Sequence, residues 1–261
     1  LVRDSIAEAG LPADTVQFIE STDRAIVGQM LTAKGLIDLL IPRGGQALIN
    51  RVAEHATIPA ITGGVGVCHT YVDESADVNM AADIVFNAKV QRPSVCNALD
   101  TVIIPSAAAP SYLPEIAKRF AEVGVEMRCD RRALTMLGTV DGLKAIPVTE
   151  EDWTTEHLSL RAGVRIVDSL DEALDHIETY GSGHSDAIVT EDYTHAMRFL
   201  NEVDSAAVFV NASTRFNDGG QFGLGAEVAV STNKFHARGP MGLEELTSYK
   251  WTVIGDGQIR P

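Results

Sequence analysis

The stretch Leu36-Ile37-Asp38-Leu39-Leu40-Ile41-Pro42-Arg43-Gly44-Gly45 decides the fold, together with the residues that follow it. Six mostly apolar residues closed by a proline read as a buried strand. The spacing of Leu48, Ile49, Val52, Ala53 and Ala56 reads as one face of a helix, and residues 58–61 read as a second strand. A strand that turns directly into a helix and returns to a strand builds a parallel sheet with helices on its faces. The expected class is α/β.

Working outward, residues 1–9 read as a helix stopped by Gly10 and Pro12. Residues 15–19 read as a short strand, and Ser21, Thr22 and Asp23 offer N-caps for a helix to about Ala33. Downstream, residues 67–72 read as a strand. Residues 77–89 read as a helix with Val78, Ala81, Ala82, Val85 and Phe86 inward. Then come a strand over 101–105 and a helix through Ile116, Phe120 and Val123, closed by Gly124. A strand over 164–167 leads into the capping box Ser169-Leu170-Asp171-Glu172, whose helix ends at Gly181. Residues 187–190 and 206–210 complete the pattern as strands with a helix between them. The cluster Thr62-Gly63-Gly64-Val65-Gly66 is a flexible crossing point and marks a domain boundary near Gly66.

Composition narrows the function. The chain has 261 residues, with 36 acidic against 21 basic side chains and a net charge of −15. That argues against non-specific binding to nucleic acid or to an anionic membrane. No long apolar run is present, so no membrane span is expected, and no signal peptide is read. Three widely spaced cysteines make neither a disulfide framework nor a zinc motif, and no metal is expected. The chain reads as cytoplasmic. It starts at Leu1 within a helical pattern, and so reads as part of a longer protein.

Cys96 lies in the polar loop Gln91-Arg92-Pro93-Ser94-Val95-Cys96-Asn97-Ala98, just before an apolar strand. A rigidly held thiolate at a sheet end is a nucleophile able to form a thioester that hydride can reduce. An isolated cysteine is more often a small core residue. Gly44 and Gly45 open a helix after a strand, which suits either an approach to phosphate or an ordinary βα turn. Cys68 and His69 are neighbours on a strand and point to opposite faces. Cys129 has Arg128, Arg131 and Arg132 beside it, either lowering its pKa or forming a solvated, charge-balanced strand end. Residues 211–227 are glycine-rich and hold Arg215, which fits a carboxylate or phosphate; a salt-bridged surface loop fits too.

The segments 41–45 (Ile-Pro-Arg-Gly-Gly), 67–73 (Val-Cys-His-Thr-Tyr-Val-Asp), 91–97, 180–184 (Tyr-Gly-Ser-Gly-His) and the run 210–251 resemble the gamma-glutamyl phosphate reductases, or glutamate-5-semialdehyde dehydrogenases, of the aldehyde dehydrogenase superfamily. The resemblance covers essentially the whole chain. It implies an aldehyde dehydrogenase-like fold: residues 1–66 as the C-terminal half of a Rossmann-like cofactor domain, 67–238 as an α/β catalytic domain, and 239–261 as a segment returning to the cofactor or oligomerisation region. The implied reaction is NADPH-dependent reduction of L-glutamyl 5-phosphate to glutamate 5-semialdehyde and phosphate, in proline synthesis.

Carried over by position, the resemblance makes Cys96 the nucleophile and Pro42, Arg43, Gly44 and Gly45 the turn beside the cofactor. It puts Ser213, Thr214 and Arg215 in the substrate loop, and leaves His184 and Arg238 as structural or functional hydrogen-bonding residues. It also implies a homo-oligomer and glutamate 5-kinase as a partner. The family's first cofactor-domain strands and its oxyanion-hole asparagine precede Leu1, so this chain alone is expected to bind NADPH poorly. No Asp or Glu occurs between Glu54 and Asp73, which leaves that segment without a base to activate water. The rival readings are an aldehyde dehydrogenase of another substrate and a binding-only fragment.

Overall fold

Parallel strands need crossovers of a dozen or more residues, and from Cys68 to Val210 the chain alternates short β-runs with such crossovers. The computed structural model describes residues 1–138 and 140–260. Seven strands, β1 (Cys68–Val72), β2 (Leu99–Pro105), β3 (Glu126–Cys129), β4 (Lys144–Pro147), β5 (Arg161–Val167), β6 (Ser185–Val189) and β7 (Ala207–Val210), form one sheet in the order β4-β3-β5-β2-β1-β6-β7. All six pairings are parallel. The central strands β1 and β2 are buried along their whole length, as strands covered on both faces must be.

Side-chain alternation sorts the core into two layers. Val102 and Ile104 of β2 face α4 (Val78–Val90), α5 (Ala109–Glu122) and α6 (Arg131–Leu137), with Phe120 at the centre. Ile103 points the other way, with Tyr71 and Ile188, onto α8 (Leu170–Tyr180) and α9 (Tyr193–Glu202). The short α7 (Glu150–Trp153) precedes β5. Caps fix the helix starts: Asp77 accepts from the Met80 amide, Asp130 from Ala133, and Asp192 from Thr194 and His195. At α8 the expected capping box is modified. Ser169 accepts from the Glu172 amide, but Glu172 reaches back to the Asp168 amide.

Before the sheet lie α1 (Val2–Glu8), α2 (Ala25–Met30) and α3 (Gln46–His55). The strands expected over 36–41 and 58–61 contract to a single parallel bridge between Leu40 and Ala60. Only Ile58 and Ile61 of those two runs are buried, and Leu36 is 87% exposed, so nothing covers a longer ladder. Residues 15–19 are likewise no strand: Ala13–Thr15 make a 3-10 turn and the residues after it are exposed. A hairpin-like ladder, β8 (Ala229–Ser231) with β9 (Gly239–Met241), packs its Ala229 and Met241 against Ile61, Leu39 and Ile41. The expected division at 238/239 therefore falls within a hydrogen-bonded pair of strands.

Buried histidines make the fold acid-sensitive. Burial holds His157 and His184 down at about 4 and His176 at about 3. Unfolded histidines titrate near ~6.5. Below that pH the unfolded chain binds protons that the folded chain refuses, so stability is present above about 6.5 and falls as the pH drops. Asp100, pushed up to about 6 by burial, opposes this trend between about 4 and about 6. Three histidines outweigh one carboxyl. The urea midpoint should fall steadily from pH 7 to pH 5; an unchanged midpoint would contradict the burial of these rings.

Candidate active site

α4 ends at Val90, and Pro93 prevents it from continuing, so residues 91–98 rise as a loop at the N-terminal edge of the sheet. The Ala98 amide closes a turn on the Val95 carbonyl at 3.1 Å, with Cys96 at its tip. The Cys68 thiol donates to the Cys96 carbonyl at 3.2 Å. Gly66 packs so closely that a Cβ there would lie 1.9 Å from that same carbonyl oxygen. On the other side, the Asn97 amide group donates to the Asn217 carbonyl at 3.0 Å, and Thr214 Oγ1 donates to the Asn97 carbonyl at 2.7 Å. The loop is thus gripped by the start of β1 on one flank and by the turn after β7 on the other.

Beneath it lies a buried polar knot. Asp100, at the start of β2, accepts from the Cys68 amide at 3.3 Å and the His157 amide at 3.0 Å. Lys89 Nζ stands 3.7 Å from the same carboxylate, and its side chain is wholly buried. His69 faces the opposite way and pairs with Asp186 at 2.9 Å, as strand alternation requires.

Above the loop opens a cleft of about 530 Å³. One wall is the turn Pro42, Arg43 and Gly44, with Gly63 and Gly64; Gly45 is the N-cap of α3 and does not line it. Arg92, Ser94, Cys96 and Asn97 of the cysteine loop line it, as do Arg215, Asn217 and Asp218. Three residues that the sequence left without a role in the cleft also line it: Glu156, Leu158 and Arg92. Leu158 holds φ = 46°, a left-handed conformation that leucine adopts only under constraint. Glu156 sits in Thr154-Thr155-Glu156-His157, which carries no motif, whereas Arg92 lies inside the 91–97 motif.

The half-buried Cys96 thiol is pushed up by burial and then by Glu156 and Glu227, while its own amide and Arg43 pull it down. Burial also raises Glu156, against a hydrogen bond from the Gly66 amide. His184 lines the cleft as a neutral imidazole. Its Nδ1 meets Ser185 Oγ at 2.7 Å, and its buried Nε2 has no partner among the described residues. Glu156, Asp218 and Glu227 bring acids to the cleft from outside the acid-free segment 55–72. Asp100 does not reach it, being 2% exposed and engaged below the loop.

Other sequence candidates fall elsewhere. Ser213 caps the Arg215 amide and Thr214 ties down Asn97, so both brace the loop and neither lines the cleft. Arg238 is pinned to Asp204 at 2.7 Å, away from the cleft. Cys129 is 1% exposed and pushed up to about 12 by burial and by Asp130. Its arginine neighbours do not lower it, because Arg128 pairs with Glu126 and Arg132 with Asp168.

The Gly66 contact carries a direct test. Gly66→Ala must displace the Cys96 carbonyl, and overpacking of this kind costs about 1–3 kcal/mol. Stability should fall by that amount and the rate of Cys96 alkylation by iodoacetamide should change. Wild-type values for both would contradict the clamp.

A gamma-glutamyl phosphate reductase of Dehalococcoides mccartyi is 56% identical over 260 residues, covering 100% of this chain and 61% of the relative. One from Clostridium tetani is 53% identical, covering 100% and 62%. The chain thus spans about three fifths of the length of its curated relatives. The crystal structure of gamma-glutamyl phosphate reductase from Thermotoga maritima superposes with a TM-score of 0.93 at 45% identity, covering 100% of this chain and 62% of that one. An acetylating aldehyde dehydrogenase from Geobacillus thermoglucosidasius shares the fold, with a TM-score of 0.73 at 18% identity over 99% of this chain and 65% of that one. Residues 1–142 match the aldehyde dehydrogenase family directly. The chain belongs to the aldehyde dehydrogenase family.

Proposed function

We propose that the whole protein reduces L-glutamyl 5-phosphate with NADPH to L-glutamate 5-semialdehyde and phosphate, a step of proline synthesis. The observation that carries this reading is the convergence of three distant segments, the Pro42–Gly44 turn, the Cys96 loop and the Arg215 loop, on one cleft. Relatives bearing the name gamma-glutamyl phosphate reductase, aligned along the entire chain, support the substrate.

In this proposal Cys96, once deprotonated, attacks the acyl carbon and expels phosphate, leaving a thioester on sulfur. The Cys96 amide, which already turns toward its own sulfur, donates to the oxyanion of the tetrahedral intermediate. Arg43 stands close enough to favour the thiolate, and would also meet the leaving phosphate. NADPH, when bound, supplies the hydride that reduces the thioester. The Cys96 hemithioacetal then collapses, releasing the aldehyde and restoring the thiolate.

The residues fit a cofactor at the 42–45 turn. Gly44 and Gly45 put no side chain on this turn, and the N-terminus of α3 follows directly after it. The arrangement suits Pro42, Arg43, Gly44 and Gly45 as cofactor contacts, and residues 1–66 as the C-terminal half of a cofactor domain. Tyr249, Trp251, Val253 and Ile254 are all at least 87% exposed, which suits burial of segment 239–261 in a homo-oligomer. Among the described residues no helix is long and apolar enough to cross a membrane, and the reading places the enzyme in the cytoplasm.

In the full-length protein Cys96→Ala should lower turnover by about 10³-fold or more, while Cys129→Ala should lose only packing. An active Cys96→Ala enzyme would end the assignment. Oxidation of glutamate 5-semialdehyde with NADP⁺ should depend on phosphate: of the three acids that line the cleft, Glu227 accepts from the Gly219 amide, Glu156 from the Gly66 amide, and Asp218 Oδ1 from the Gly220 and Gln221 amides. Steady turnover to glutamate in phosphate-free buffer would show one of them serving as a base for water.

A further inference from the structure

Several arginines of this acidic chain are paired with carboxylates. Arg119, Arg128, Arg132, Arg198 and Arg238 each stand within 4 Å of a carboxylate. The arginines of the cleft are not paired in this way. Arg43, Arg92 and Arg215 all line it, and among the described residues none has a carboxylate that close. Arg43 belongs to the wall formed by the turn before α3 and acts on the Cys96 thiol. Arg92 and Arg215 act on one another: burial pulls the Arg215 guanidinium down, Asp218 opposes that pull, Arg92 adds to it, and the Cys96 thiol is near enough to oppose it as well. Two adjacent unpaired guanidiniums repel, and an anion between them removes the repulsion.

We propose that Arg92 and Arg215 bind the α-carboxylate of the substrate and Asp218 its α-ammonium group, so that this end of the cleft recognises a free amino acid. The proposal rests on the reading above, that the acyl group is a γ-activated glutamate. In that substrate the phosphate is bonded through oxygen to the reacting carbon. The α-carboxylate lies four carbon–carbon bonds away, about 5 Å. Its cations must therefore stand apart from the thiol. Arg215 is already held in a suitable pose. Its Nε donates to Gln91 Oε1 at 2.9 Å, and its two terminal nitrogens make no hydrogen bond among the described residues. Arg92 is exposed and likewise makes none. Asp218 Oδ1 accepts from the Gly220 and Gln221 amides, which fixes the carboxylate and leaves Oδ2 for an ammonium group. Both segments are tied to the nucleophile loop, since Asn217 holds Asn97 and Arg92 precedes Cys96 by four residues on the same loop.

The full-length enzyme tests this in the oxidative direction, with NADP⁺ and phosphate. Three aldehydes are compared: glutamate 5-semialdehyde, 5-oxopentanoate, which keeps the carboxylate but lacks the amino group, and butanal, which lacks both. Arg92→Gln should raise the KM for the two carboxylate-bearing aldehydes about 10- to 100-fold and leave the KM for phosphate little changed. Arg92→Lys should recover part of the loss. Asp218→Asn should raise the KM for glutamate 5-semialdehyde and spare 5-oxopentanoate. A rise in the phosphate KM with Arg92→Gln, or an equal loss on butanal, would overturn the proposal. If wild-type enzyme ignores glutamate 5-semialdehyde, the substrate reading fails on its own account. The carboxylate site is then decided by whether Arg92→Gln lowers the preference for 5-oxopentanoate over butanal.

Discussion

The cleft depends on one buried carboxylate. Asp100 collects the amide of Cys68 from β1, the amide of His157 from the strap before β5, and the ammonium of Lys89 from the last turn of α4. Each partner carries a piece of the site. The start of β1 brings Gly66 and Cys68 to the Cys96 carbonyl, the strap brings Glu156 and Leu158 into the cleft, and α4 launches the Cys96 loop. Burial pushes the Asp100 carboxyl up to about 6 in spite of Lys89 and both amides. Such a pair adds little net stability, but removing one partner strands a charge at a cost of about 3–5 kcal/mol. The pair therefore acts as a register device, fixing three segments relative to one another directly below the proposed nucleophile.

The second feature is the balance of charge above that knot. Burial, Glu156 and Glu227 together outweigh Arg43 and the local amide, so the thiol of the free protein stays above its ordinary range. Full reactivity therefore calls for something that the cleft acquires on binding. Three cations, Arg43, Arg92 and Arg215, line the cleft and would meet an anionic ligand there.

How much of this the sequence reveals depends on burial. β1, β2, β5 and β6 are legible as apolar runs between helices, because the inner strands are covered on both faces; β7, at the sheet edge, is legible as the unbroken apolar run 206–210. β3 and β4 are not. Glu126-Met127-Arg128-Cys129 and Lys144-Ala145-Ile146-Pro147 are four-residue strands at one edge of the sheet, carrying charges that pair along the ladder. The apolar run 36–41 misleads in the other direction: it looks like a strand, yet pairs only at Leu40. In the site, Cys96, the 42–45 turn and Arg215 stand out because proline and glycine punctuate their loops. Glu156 and Asp218 do not, since their positions in the cleft are set by the strap tied to Asp100 and by the turn after β7. Thr214 looks like a ligand-binding hydroxyl and is in fact spent on the Asn97 carbonyl.

The central claim is that Cys96 carries the acyl group in this cleft, and covalent trapping tests it most directly. Full-length enzyme would be mixed with glutamate 5-semialdehyde and NADP⁺ in phosphate-free buffer, quenched in acid, digested and analysed by peptide mass spectrometry. The account predicts a glutamyl adduct on the peptide containing Cys96, removed by adding phosphate before the quench. An adduct on Cys68 or Cys129, or continued turnover with Cys96 unmodified throughout, would contradict it.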